Sequence, residues 1–101
     1  TSNNPFSISM RGHAALMMGD SDLVQRSLSQ LREKVRTEFV PPTLVGIVEW
    51  DAGNKTEAYR WFDKAFDTHE RELVFLIFPA FDIVRRDPHV TEIFRKIGLK
   101  P

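Results

Sequence analysis

Residues 41–65 read Pro41-Pro42-Thr43-Leu44-Val45-Gly46-Ile47-Val48-Glu49-Trp50-Asp51-Ala52-Gly53-Asn54-Lys55-Thr56-Glu57-Ala58-Tyr59-Arg60-Trp61-Phe62-Asp63-Lys64-Ala65. Two helical apolar patterns flank Gly53-Asn54, a pair suited to the turn of a helical hairpin. The first holds Leu44, Val45, Ile47, Val48 and Trp50, and the second holds Ala58, Phe62 and Ala65. Thirty-four residues earlier the pattern recurs. Gly12 stands for Gly46, Gly19 for Gly53, Asp20 for Asn54, Val24 for Ala58, Leu28 for Phe62 and Leu31 for Ala65. A helix–turn–helix unit of that period cannot bury its apolar face alone and stacks on its neighbours.

Working outward, the spacing predicts a first helix from Phe6 to Met18. Glycine within a helix costs about 1 kcal/mol relative to alanine, so Gly12 signals a close helix–helix approach. Gly19-Asp20-Ser21-Asp22 ends that helix and caps a second, expected from about Ser21 to Arg36 with Val24, Leu28, Leu31 and Val35 as its stripe. Pro41-Pro42 closes this unit and opens the third helix. Asn54 is expected to cap the fourth helix, with Glu57 completing a capping-box-like pair. Leu73 to Phe78 is an unbroken apolar run before Pro79. Nothing else in the chain reads as a strand to pair with it, so it is expected to be a short buried helix. Asp87-Pro88 is an N-cap followed by proline at the first helical position. Val90, Ile93, Phe94 and Ile97 form the last apolar face, and Gly98 is a left-handed stop with Leu99 folding back.

The 101 residues are enough for one domain. A hydrophobic content of 42% and a charged content of 28% are those of an ordinary globular chain. Fourteen basic residues balance fourteen acidic ones, so no net field draws the domain to nucleic acid or an anionic membrane. No cysteine is present for disulfides or thiolate metal sites. No apolar run approaches the roughly 20 residues of a membrane span. The chain begins at Thr1 without a leader pattern, and a fragment of a longer, cytoplasmic protein is the expectation.

The sequence carries no recognisable catalytic constellation. His69-Glu70 opens an H-E-x-x-H pattern, but Leu73 stands at the closing position. His13, His69 and His89 fall on three different elements, so no zinc set or other cofactor site is expected. Asp20-Ser21-Asp22 has a helix-capping reading that needs no cation, which would want further oxygen ligands. Arg32, Lys34 and Arg36, like Arg85-Arg86, read as solvated charge near helix ends. The eight phenylalanines read as core stripes. The expectation is a non-enzyme.

The two units resemble tetratricopeptide repeats in period, in glycines and in small-residue positions. The tail Phe78-Pro79-Ala80-Phe81-Asp82-Ile83-Val84-Arg85-Arg86-Asp87-Pro88-His89-Val90 through Leu99 looks like the C-terminal cap of repeat arrays in bacterial signalling and transcription regulators. There, such arrays follow winged-helix, adenylate cyclase or serine/threonine kinase domains. The resemblance implies an all-α, right-handed superhelix of antiparallel helix pairs closed by a capping helix. It implies a first repeat over about 5–38, a second over about 39–70 and a cap over about 71–101. Ala15 and Glu49 depart from it, standing where the repeat carries an aromatic residue, and Val24 replaces an alanine.

Such repeats bind partners on the concave surface of the first helix of each pair. Carried over by position, that habit selects Phe6, Ser9, His13, Leu16 and Met17 from one repeat and Thr43, Ile47, Trp50 and Asp51 from the other. Trp50 beside Asp51 suits a partner bearing an apolar side chain next to a basic one; the alternative is that Phe6, Leu16, Ile47 and Trp50 are simply packed, with Trp50 standing in the core for the aromatic missing at Glu49. The lysine–asparagine clamp for a chaperone C-terminus is missing, because Ser9, His13 and Thr43 hold comparable places. The implied function is a non-catalytic interaction module for a protein, a peptide or a neighbouring domain. The alternative is a small-ligand sensor attached to an output domain.

Overall fold

The computed structural model describes residues 4–98, and every regular element in them is helical. In chain order these are α1 (Pro5–Met18), α2 (Ser21–Thr37), α3 (Pro42–Asp51) and α4 (Lys55–Asp67). Two 3₁₀ segments (Arg71–Ile77 and Pro79–Phe81), α5 (Asp82–Arg85) and α6 (Pro88–Lys96) follow. None of the described helices is long and apolar enough to cross a membrane. Leu99, with its expected fold-back, lies outside the described residues.

Local chemistry starts and stops these helices much as the sequence indicates. Asn4 caps α1 by accepting the Ser7 N–H at 2.8 Å, and Asp20 caps α2 by accepting the Leu23 N–H at 3.1 Å. The N–H of Asp20, Asn54 and Glu70 each reaches the carbonyl five residues back, closing α1, α3 and α4 in the same manner. The residue before each of these is left-handed: Gly19 (φ 76°), Gly53 (φ 88°) and, without glycine's freedom, His69 (φ 54°). One expected cap does not form. Asn54 leaves its helix uncapped by side chain, and its amide Nδ2 donates to the buried Glu49 Oε1 at 2.9 Å, a charge-assisted bond that orients the side chain toward α3.

The pairs α1–α2 and α3–α4 pack antiparallel, with α3 also against α1 and α2. Val24, Leu28, Leu31, Ala58, Phe62 and Ala65 are all buried. Equivalent glycines permit the approach. A Cβ on Gly46 would stand 2.6 Å from the Phe62 ring, and one on Gly12 would stand 3.1 Å from Ser27 Cβ. Every residue of α3 is buried. Its amphipathic period is therefore lost, which is the pattern of a helix surrounded by protein.

The apolar run at 73–78 is helical but not buried throughout. Three residues per turn send Leu73 and Leu76 into the core, while Val74 and Ile77 face outward with Phe78. The final helix buries Val90, Ile93 and Phe94 but leaves Ile97 43% exposed, since α6 has ended at Lys96. The phenylalanines divide likewise. Phe62, Phe81 and Phe94 are core, whereas Phe6, Phe39 and Phe78 are exposed.

Phe62 is fully enclosed and has nowhere to move, so Gly46→Ala is expected to destabilise the fold by about 1–3 kcal/mol in urea unfolding. Ala65→Leu, at a site with no exposure, falls in the same range. At Gly12→Ala the helix-propensity gain of about 1 kcal/mol offsets the milder squeeze, leaving stability within about 1 kcal/mol of the parent. Equal melting of all three variants would show that the repeat register is misassigned.

Candidate functional site

The face of α1 and α3 is where the sequence places a binding groove, and the chain packs its own C-terminal segment against it. Ile47 and Trp50 share one apolar cluster with Leu73, Leu76, Phe81, Val84, Val90, Ile93 and Phe94. Ser9, His13, Thr43, Ile47, Trp50 and Asp51 are buried, Leu16 is half-buried, and Phe6 and Met17 remain exposed at the rim. The expected groove residues are thus brought together along one face, but most of that face is interior. The physical reason is area. Each of the seven cap side chains contributes about 1.5–3 kcal/mol on burial, and an open groove would leave them and their partners in water.

Buried polar side chains fix how the cap seats. His13 reaches Asp51 Oδ1 through Nδ1 at 2.9 Å and the Ala80 carbonyl through Nε2 at 2.5 Å, with the Phe81 ring 4.6 Å from its own. The Ala80 carbonyl can only accept, so Nε2 carries a proton, and Nδ1 donates as well when Asp51 is ionised, which makes the ring an imidazolium in that state. Burial pulls the His13 pKa down, but the hydrogen bond and charge of Asp51 and the Ala80 carbonyl overcome it, and the net shift is upward. Burial pushes Asp51 upward despite His13, and its second oxygen has no partner. Ser9 donates to the Leu44 carbonyl at 3.1 Å, and the Thr43 N–H donates to Glu70 at 2.9 Å.

Trp50 is 93% buried and donates its indole N–H to Asp87 Oδ2 at 3.1 Å. The expected aromatic anchor is therefore a core residue that binds the cap helix. Tyr59 donates to the same oxygen at 2.8 Å, and Lys55 lies 3.7 Å from it and 3.9 Å over the Trp50 ring. Asp87 also accepts the His89 N–H at 3.0 Å, as the N-cap of α6. Burial alone would raise its pKa, but these donors and Lys55 bring it below the usual carboxylate range. Sequence reading identified Asp87 as a cap and missed its role as the junction between α3, α4 and α6. No short-range pattern signals a bond that spans 37 residues.

Glu49, standing where the resembling repeat carries an aromatic, is buried and clamped in bidentate fashion by Arg32 at 2.9 and 3.0 Å. The basic residues of the α2 end are similarly engaged. Lys34 lies 3.7 Å from Glu38, and Arg36 lies 3.3 Å from Glu33. Arg85 donates to the Leu76 carbonyl at 2.7 Å and bonds Asp82. Among the described residues no group of three or more His, Asp or Glu side chains is placed to hold a metal ion. Comparison with protein-family models, with curated proteins and with solved structures gives no match to this chain.

Two measurements check this arrangement. In a Trp61→Phe background, Trp50 emission is expected to be blue-shifted and resistant to acrylamide; ready quenching would mean that the cap is not seated on α3. The second is the pH dependence of stability. His13 has a raised folded-state pKa, so its contribution is complete below its unfolded value of about 6.5 and is lost as pH rises through the folded value. The stability gap between the parent and His13→Gln is accordingly expected to be widest in acid and to narrow above neutrality. A gap that does not vary with pH would show that His13 is not a bridging imidazolium.

Proposed function

We propose that this chain is a non-catalytic interaction module of tetratricopeptide-like architecture, a right-handed stack of two helix pairs and a cap, working within a regulatory protein. The observation that carries this reading is the recurrence of one packing solution at the 34-residue period. Gly12 and Gly46, 34 residues apart, each face the second helix of their pair, at Ser27 and at Phe62 one position out of strict register, and each pair closes on a left-handed glycine at Gly19 or Gly53. The buried titratable groups support it too. His13, Glu49 and Asp87 are each bound to protein groups that connect one element to another, which is structural employment.

The same geometry disfavours ligand sensing in the groove. A sensor of this architecture would hold its ligand against α1 and α3, and that space is occupied by Leu73, Leu76 and Phe81. The recess between the two repeat turns, lined by Leu16, Asp20, Gln25 and Asp51 among others, has a volume of about 160 Å³. Small-molecule sites usually offer roughly 300–1,000 Å³. The partner of the module therefore meets the outer surface or the rim.

Selection of a displayed random-peptide library on the immobilised chain tests the reading. Enrichment of related sequences that bind with one-to-one stoichiometry is the expected result. A saturable rise in melting temperature with one compound of a metabolite panel, with no peptide enriched, would replace it with the sensor reading.

A further inference from the structure

At the end of the molecule where α1 begins and α2 gives way to α3 lies an open cleft of about 500 Å³. Its walls include Phe6, Phe39, Pro41, Leu44 and Phe75, and its charged lining is Glu38 and Glu72. Phe39 is 80% exposed, the largest exposure of any large apolar side chain described, and Phe6 is 46% exposed. The Phe6 ring meets Phe75 edge-on at 5.4 Å, and Phe75 leads on to Phe78 at 6.0 Å, itself half exposed. An exposed aromatic row of this kind marks an interaction surface far more often than it marks ordinary surface.

Resting on the interaction-module reading, we infer that this cleft receives an extended peptide segment of a partner, with an apolar side chain against Phe6, Phe39 and Phe75 and an adjacent arginine or lysine between Glu38 and Glu72. Charge complementarity selects the basic residue. Among the described residues no cation lines the cleft, Glu72 forms no ion pair, and Glu38 pairs with Lys34 alone, across one helical turn at 3.7 Å. Glu70 stands at the foot of the same 3₁₀ segment; burial raises its pKa, its bonds to Thr43 oppose that, and the nearby charge of Glu72 adds to the rise.

Backbone shape selects the extended form. Glu38 (φ −150°, ψ 166°) and Pro41 (φ −55°, ψ 126°) bracket a stretch of open chain. Within the described residues, the N–H groups of Phe39 and Val40 make no hydrogen bond. A segment lying along 38–41 can pair with backbone while its side chains reach the aromatic wall. The rigid fork of arginine suits two carboxylates better than a point charge does. Proline at 41 and the 3₁₀ turn at 71–77 hold the two walls in place without the partner.

The test is an amide-resolved NMR titration of the 101-residue chain with two matched probes, acetyl-Leu-Arg-Leu-Arg-amide and acetyl-Leu-Glu-Leu-Glu-amide. The expected result is saturable shifts at Phe39, Val40, Glu72 and Phe75 with the arginine probe, and binding at least about tenfold weaker with the glutamate probe. Phe39→Ala and Glu72→Gln should each weaken the arginine probe at least about threefold. Phe39 is exposed and Glu72 is half-buried with no ion pair among the described residues, so an unchanged circular dichroism spectrum and melt are expected in the variants. Equal response to the two probes, no saturable shift, or wild-type binding by Phe39→Ala would overturn the assignment. Concentration-dependent dimerisation abolished by Phe39→Ala would overturn it as well, in favour of a contact between two copies. Saturable binding that maps elsewhere would overturn the cleft and leave the interaction-module reading standing.

Discussion

A helix with no solvent-facing side is the constraint on which the rest of this structure depends. All ten residues of α3, from Pro42 to Asp51, are buried, and four of them carry polar side chains, of which the Thr43 hydroxyl has no partner among the described residues and the other three are bound. Glu49 takes Arg32 of α2, Asp51 takes His13 of α1, and the indole of Trp50 takes Asp87 at the head of α6. At its first turn, the free N–H of Thr43 takes Glu70 from the link after α4. An uncompensated buried charge or donor costs several kcal/mol, so each bond specifies which neighbour stands on which side of α3. Apolar burial supplies most of the driving force, and the polar bonds supply the arrangement.

That division explains why a short, irregular segment can seal the molecule. Residues 71–85 have little helical regularity to stabilise them on their own. Their inward side chains, Leu73, Leu76, Phe81 and Val84, complete the core that Phe62 and Ile47 begin. His13 reaches into this segment at Ala80, and Arg85 ties the segment back on itself at Leu76. The face of α1 and α3 that the sequence offers to a partner is here a lid contact within one chain. What remains exposed is the edge of that lid, where Phe6, Phe75 and Phe78 meet the solvent beside Phe39.

Read by itself, the sequence determined the helices, the two repeat turns and the close approaches, because these depend on local periods and on single residues. Gly12 and Gly46 at the packing positions, Gly19 and Gly53 at left-handed stops, and Asp20 and Asp87 as caps are all legible without coordinates. The tertiary structure alone decided which residues of the concave face are available. Whether Trp50 is an anchor or a core residue turns on Asp87, and whether His13 is a groove histidine turns on Ala80, 67 residues away. It also decided that Asn54 serves Glu49 rather than its own helix, and that half of the 73–78 run faces outward. Periodicity reports one element's preference for a buried side. Which partner fills that side is set by contacts distant in sequence, and those exist only once the chain has closed on itself.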